Sequence, residues 1–439
     1  MGFRQHIIRI QNSSQRMLPY WLAAAAVSAM SVGFAKLFSL SESLAFKWIS
    51  DYPALSFIIV PLGLLSSSAL VEFVSSGAGG SGIPQLLAAV EITHHHDEKY
   101  SRLKEQLLGI RMIIVKIFGT CLCVAGGGIT GREGPNLQIA AGLFYQVQKL
   151  WVKTKVKFAP NMQSMVLAGG AAGLASAFNT PLGGVVFAIE ELAKVHISTI
   201  RTYTFHAVII AGLLTQAILG NYLYFGKFEM QAPGMFEILP LIIGSMLIGL
   251  IGGLFGKVIV VTLDWRSSRT RTVRLLMSGA CGLLLATLIY FLGRESAGSG
   301  REVITTLLLQ KKVPADLSLP LARVLGNLFT YCAGVIGGVF APALSAGASL
   351  GSWMGGFIPN SDLQIWVLMG MVAFLTGLTR TPFTSLILVL EMTDTHNVIL
   401  VLMLSAIVAQ SAAHIIDPIS FYEHMAHRII HGKVKEEQQ

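Results

Sequence analysis

Residues 126–142 read Gly126-Gly-Gly-Ile-Thr-Gly-Arg-Glu-Gly-Pro135-Asn-Leu-Gln-Ile-Ala-Ala-Gly142. Glycine crowds the approach to Pro135, and an apolar run follows it. Proline is favoured at the first helical position, so Pro135 is read as opening a helix whose glycine-rich lead lets backbone come close to another group. The first amides of a helix have no carbonyl of their own helix to bond. With the positive end of the helix dipole they favour an anion. Glu133 sets a carboxylate beside that site. In an apolar chain, an anion site with its own carboxylate points to anion movement coupled to protonation.

The chain has 439 residues, of which 53% are hydrophobic and 13% charged. A soluble domain carries about 25% charged residues, so the composition describes an all-α, polytopic membrane protein. Lys and Arg outnumber Asp and Glu by 32 to 23, and the excess clusters in loops. That is the pattern of cytoplasmic loops, not of a soluble basic face for nucleic acid. Arg4, Arg9 and Arg16 precede the first apolar run without a small-residue cleavage site, which reads as a retained cytoplasmic start. The Cys121–Cys123 pair in an apolar segment is read as helix filler ahead of a metal or disulfide pair.

Apolar runs fall near 20–48, 54–75, 106–130, 134–151, 162–178, 181–193, 203–224, 236–263, 273–293, 318–336, 339–358, 363–378, 383–392 and 397–416. Many are shorter than the roughly 20 residues that span a bilayer. Several are broken by Gly or Pro. Short, broken helices in a membrane protein are half-helices that stop at the midplane and line a polar path. Basic residues gather at Lys99–Arg111, Lys149–Lys157, Lys194–Arg201, Arg266–Arg274 and Arg428–Lys435. These segments are expected on the cytoplasmic side, with both termini.

One internal repeat is visible. Gly169 to Thr180-Pro181 and on to Glu190 matches Gly370 to Thr381-Pro382 and on to Glu391, at a constant separation of 201 residues. Each copy is expected to use its Thr as N-cap ahead of Pro. The first copy runs into Lys194 and Arg201, whereas no Lys or Arg follows Glu391 before Arg428. Opposite exits imply an inverted repeat, with halves of about 20–225 and 235–433 in one transmembrane domain over 1–439.

Two further stretches share the design of the first, Gly77-Ala-Gly-Gly-Ser-Gly-Ile-Pro84 and Gly334-Val-Ile-Gly-Gly-Val-Phe-Ala-Pro342. Alone, each would be a glycine-rich helix junction. Three together point to one anion site at the bilayer midplane. The scarcity of Lys and Arg in them suits an ion that must leave again.

Gly80-Ser-Gly-Ile-Pro84, Gly131-Arg-Glu-Gly-Pro135 and Gly338-Val-Phe-Ala-Pro342 resemble the three signature motifs of the CLC chloride channel and transporter family. The resemblance continues through Glu190-Glu191, Leu390-Glu-Met-Thr-Asp394 and Tyr422. It implies an inverted-repeat fold and a homodimer with one pore per subunit, without the cytoplasmic CBS pair of larger relatives. It implies that Ser81 and Tyr422 supply the two hydroxyl ligands of a central chloride. The amides of Val339, Phe340, Arg132 and Glu133 complete the sites. Glu133 matches the gating glutamate, Glu191 the inner proton-transfer glutamate, and Lys116 a lysine beneath the pore. The bland alternatives are a capping serine, a core tyrosine, an Arg132–Glu133 ion pair and, for Glu191, a solvated interfacial acid near Lys194. Glu190 is expected to point elsewhere on its helix.

The chain departs from its relatives at Gln85, Leu86 and Leu87, where acids are common, so the inner proton path differs in detail. His94-His95-His96 and Asp97 are read as a polar loop ahead of a metal cluster. The function these residues imply is secondary active exchange of two chlorides for one proton across the cell membrane, with no enzymatic reaction and no cofactor. The alternative is a passive voltage- or pH-gated chloride channel of the same fold. A fluoride-selective exchanger would depart from the Ser and Pro motifs kept here.

Overall fold

Apolar helices with few charges dominate the computed structural model, which describes residues 3–94, 97–154, 159–192, 202–220, 223–227, 230, 233–309, 313–359 and 361–436. Lys155, Lys157, Lys194, Arg201, His95 and His96 fall outside these. In the first half the helices are α1 (Phe3–Asp51), α2 (Ser56–Ala69), α3 (Ile83–Ile92), α4 (Glu98–Leu108), α5 (Ile110–Ala125), α6 (Glu133–Lys153), α7 (Met162–Phe178), α8 (Pro181–Phe187) and α9 (Thr202–Leu219). In the second they are α10 (Met235–Ser267), α11 (Arg271–Leu292), α12 (Arg301–Leu309), α13 (Ser318–Cys332), α14 (Phe340–Gly355), α15 (Leu363–Thr379), α16 (Pro382–Thr393), α17 (Ile399–Ile416) and α18 (Phe421–Glu436). Seven helical stretches among the described residues are long and apolar enough to cross a membrane, while α3, α7, α15 and α16 are apolar but shorter. The multi-pass, broken-helix architecture read from the sequence is therefore present. Its core is built on small residues: a Cβ on Gly351 or Gly370 would run into backbone of the facing helix, so α14 and α15 pack backbone to backbone.

Two boundaries differ from the sequence reading. The run 106–130 is split at Gly109, whose extended backbone (ψ 161°) separates a polar-faced α4 from the apolar α5. Helices α6 and α14 begin at Glu133 and Phe340, so Pro135 and Pro342 stand third in their helices, not first. The reason is the same orphan-amide rule: none of the first-turn N–H groups has an intrahelical acceptor, so a proline there removes no bond.

The Thr-Pro repeat is present, but its caps are not the expected ones. Thr180 and Thr381 occupy the N-cap positions of α8 and α16, and neither side chain bonds its helix. Each helix is capped instead by the glutamate of the other copy. The Glu391 carboxylate accepts from the amides of Leu182 (3.0 Å) and Gly183 (2.8 Å). The Glu190 carboxylate accepts from the amides of Phe383 (3.1 Å) and Thr384 (2.6 Å) and from the Thr384 hydroxyl (2.7 Å). A carboxylate serves better than a hydroxyl here, because it satisfies two orphan amides at once and meets the positive helix end with full charge. Glu391→Ala is expected to destabilise the fold by on the order of 1.5–3 kcal/mol, the range for hydrogen bonds to a charged group. A fall in the thermal midpoint of purified protein in detergent would show it, and an unchanged midpoint would deny the cap any weight.

Candidate functional site

Three glycine-rich loops meet in one place and are stitched by backbone. Gly131 and Gly338 exchange hydrogen bonds, N–H to O, at 2.8 and 2.7 Å, and Gly80 donates to Val335 at 2.9 Å while Gly337 donates to Gly80 at 3.2 Å. No side chain fits between them: a Cβ at Gly134 would lie 2.5 Å from the Ser81 carbonyl oxygen, and one at Gly338 would lie 2.9 Å from that of Gly131. The N-terminal ends of α3, α6 and α14 are thereby brought together. Ser81, Glu133, Val339 and Phe340 are buried there, and Arg132 half-buried.

The Ser81 loop is shaped by left-handed backbone at Gly80 (φ +64°) and Gly82 (φ +101°). Its carbonyls are held by a cation. Lys116, fully buried on α5, donates to the carbonyls of Ala78 (2.9 Å), Gly79 (3.4 Å) and Gly80 (2.8 Å). In a peptide unit the C=O and the next N–H point opposite ways. Fixing the Gly80 carbonyl on Lys116 therefore turns the Ser81 amide away from it. Gln85 adds a second clasp, accepting from the Gly82 amide (2.9 Å) and donating to the Gly79 carbonyl (2.5 Å). The residue that departs from the acidic pattern of relatives is thus part of the loop's scaffold.

Both candidate hydroxyl ligands are buried. Ser81 Oγ accepts from the Ile83 amide at 3.4 Å, which leaves its proton to be donated elsewhere. The Tyr422 hydroxyl is fully buried and bonds no protein atom among the described residues. A buried, unsatisfied donor beside converging helix N-termini is what an anion ligand requires. Phe340 stacks on Tyr422 with ring centroids 6.1 Å apart, so the tyrosine is anchored from one side.

Glu133 is fully buried, and its Oε1 accepts from the Tyr224 hydroxyl at 3.0 Å. Arg132 donates at 3.5 Å to the Ala177 carbonyl. Tyr224 is in turn held by Arg301, whose guanidinium lies 4.6 Å from the ring centroid and donates to the Tyr224 carbonyl at 3.1 Å. The sequence carried no sign of this pairing, because Tyr224 sits in a connecting loop 91 residues from Glu133.

Glu191 is 1% exposed, so the reading as a solvated interfacial acid does not hold. It lies in a π-helical turn, Ala188–Leu192, that continues α8. Such a turn carries an extra residue and re-aims the side chains that follow. Glu190 reaches outward to α16, as the sequence reading expected of it, while Glu191 turns inward, near enough for its charge to act on the Tyr422 hydroxyl. A row of aromatic contacts runs from Phe187, four residues before Glu191, to Tyr224, the partner of Glu133. Phe187 meets Phe340, Phe340 meets Phe178, and Phe178 meets Tyr224, at centroid distances of 6.5, 6.2 and 5.3 Å.

A cavity of about 900 Å³ opens on Ser81 and Gln85, and its walls include Arg271, Arg274, Arg428 and Lys99. The basic cluster 266–274 is thus partly interior: Arg266 and Arg274 both pair with Glu72, at 3.3 and 2.7 Å. A cleft with this excess of positive charge concentrates small anions at the end of the site that it opens on.

A family model described as voltage gated chloride channel matches residues 62–414. An H(+)/Cl(-) exchange transporter ClcA from Citrobacter koseri is 30% identical over 427 residues, covering 91% of this chain and 86% of that protein. The ClcA of Vibrio vulnificus strain YJ016 is 28% identical over 375 residues, covering 82% and 77%. Among solved structures, a slow cyanobacterial Cl-/H+ antiporter aligns with a TM-score of 0.77 at 21% identity, covering 95% of this chain and 98% of its own. A CLC-type fluoride/proton antiporter aligns with a TM-score of 0.76 at 18% identity, covering 94% and 98%.

Proposed function

Since the chain belongs to the voltage gated chloride channel family, we propose that it is a secondary active transporter exchanging chloride for protons across the cell membrane. The observation that carries this reading is the union of three helix N-termini around Ser81, with the Glu133 carboxylate buried at the same junction. The ends of α3, α6 and α14 supply partial positive charge to a chloride, and Ser81 and Tyr422 supply hydroxyl donors. Partial charges hold a monovalent anion without trapping it. An ionised Glu133 and a chloride cannot share one site, so protonation of Glu133 admits the anion and departure of the proton excludes it. Glu191 accepts the proton from the inner side, and the aromatic row from Phe187 to Tyr224 keeps that passage apart from the open anion cavity. The basic lining of the cavity supports a cytoplasmic inner face and cytoplasmic termini. A homodimer with one pore per subunit is the working unit, as the family resemblance implies.

The test is uphill proton movement. Purified protein in liposomes under an imposed chloride gradient should drive protons against their own gradient, two chlorides per proton. Chloride flux with no linked proton movement would instead support the channel of the same fold.

Ser81→Ala and Tyr422→Phe each remove one hydroxyl donor. Each is expected to weaken chloride binding by on the order of 1–2 kcal/mol, with flux continuing and coupling degraded. Calorimetric chloride titration reads this directly, and wild-type affinity in both would take the two side chains out of the site.

A further inference from the structure

The second half of the chain carries its own version of the Ser81 loop. Gly298-Ser299-Gly300 leads into α12 as Gly80-Ser81-Gly82 leads into α3. Proline is missing from the second copy, where Arg301 and Glu302 follow, yet the backbone is alike: Gly298 and Gly300 have φ of +66° and +84°, beside +64° and +101° in the first. Ser299 Oγ accepts from the Arg301 amide at 3.4 Å, and Ser81 Oγ accepts from the Ile83 amide at 3.4 Å. The buried cation is repeated too. Lys116 and Arg323 stand 207 residues apart, the separation of Pro135 and Pro342. Arg323 is fully buried and donates to the carbonyls of Glu295 (3.3 Å), Ala297 (2.9 Å) and Gly298 (3.3 Å), as Lys116 does to those of Ala78, Gly79 and Gly80.

The second loop holds a carboxylate. The Ser299 amide donates to Glu42 Oε1 of α1 at 2.6 Å, and a Cβ on Gly298 would lie 2.7 Å from that same oxygen. A carboxylate thus occupies the place that the turned-out amide prepares, while Arg323 holds the opposite, carbonyl face of the loop. Beside it, a cavity of about 40 Å³ is lined by Phe46, Ala297 and Gly300 and by the charged Arg294, Glu295 and Glu302. We propose that Gly298–Gly300 is a second anion cradle, fit for a small monovalent anion such as a halide, which Glu42 fills as a tethered carboxylate. Duplication of the fold duplicated the cradle, and Glu42 keeps the second copy from taking a free ion. Without that carboxylate, the buried Ser299 amide loses its acceptor, and a free halide takes its place.

The proposal rests on the reading of the Ser81 loop as an anion site, and one experiment separates the two. Crystals of the full chain grown in bromide are measured for anomalous scattering, as wild type and as Glu42→Ala. Expected are bromide at Ser81 in both proteins and an additional bromide within hydrogen-bond reach of the Ser299 amide in Glu42→Ala alone. Bromide at Ser81 but none at Ser299 in the variant overturns the second cradle and spares the first. Bromide at neither overturns both. In solution, Glu42→Ser clears the place and guards against misfolding of the alanine variant; calorimetric titration with bromide should bind one more anion per subunit than wild type. An unchanged stoichiometry in a folded Glu42→Ser counts against the cradle as firmly as a missing peak.

Discussion

Glu133→Gln is expected to stop proton movement entirely while chloride flux continues and loses its dependence on pH. An amide is isosteric with the carboxyl group and can still accept from the Tyr224 hydroxyl, so the local geometry survives. It cannot take up or release a proton in this range, and it carries no charge to compete with chloride. Proton flux should fall to the leak of protein-free liposomes. Chloride flux, expected to be faster at acid pH in the wild type because protonation clears the site, should become flat across pH. Parallel recordings of both ions over pH decide the matter, and proton pumping against a gradient by Glu133→Gln would remove Glu133 from the gate.

Glu191→Gln is the second large effect: proton movement lost, chloride movement preserved. A carboxyl group at 1% exposure in a membrane helix is expensive to keep without use, and Glu191 sits in a π-turn, close enough to Tyr422 for its charge to act there, outside the lining of the basic cavity. Its neighbour makes the comparison sharp. Glu190 spends its carboxylate on the amides of Phe383 and Thr384, so Glu190→Gln should lower the thermal midpoint and leave proton movement close to wild type. If Glu191→Gln pumps protons as wild type does, or if the two variants lose coupling equally, the inner acceptor lies elsewhere.

How much of this could be read from the residues alone depended on range. The three Gly-to-Pro loops and the Thr-Pro repeat are local patterns, and each lies where its pattern placed it. Helices α6 and α14 start two residues ahead of Pro135 and Pro342 because proline marks the orphan-amide turn and not its first position. A local window offers threonine as the cap of α8 and α16; the true caps come from Glu391 and Glu190, 208 and 194 residues away. Tyr224 and Gln85 are illegible for related reasons. A tyrosine in a connecting loop has no periodicity to betray its partner, and the clasp of Gln85 on Gly79 and Gly82 exists only once the loop is folded. The Gly298-Ser-Gly300 loop was present in plain letters, but without a proline behind it nothing set it apart from an ordinary turn.

The exchanged glutamates of α8 and α16 also bear on how the chain reaches its folded state. When residues 181–192 first enter the membrane, the carboxylate that will bond the amides of Leu182 and Gly183 belongs to a segment not yet synthesised. Those amides must stay near water, or be held by an insertion partner, until Glu391 arrives. The reverse bond, from Glu190 to α16, then forms in the same docking event. Neither α8 nor α16 has its first amides satisfied without the other half's glutamate, so the two caps close together, late in biogenesis.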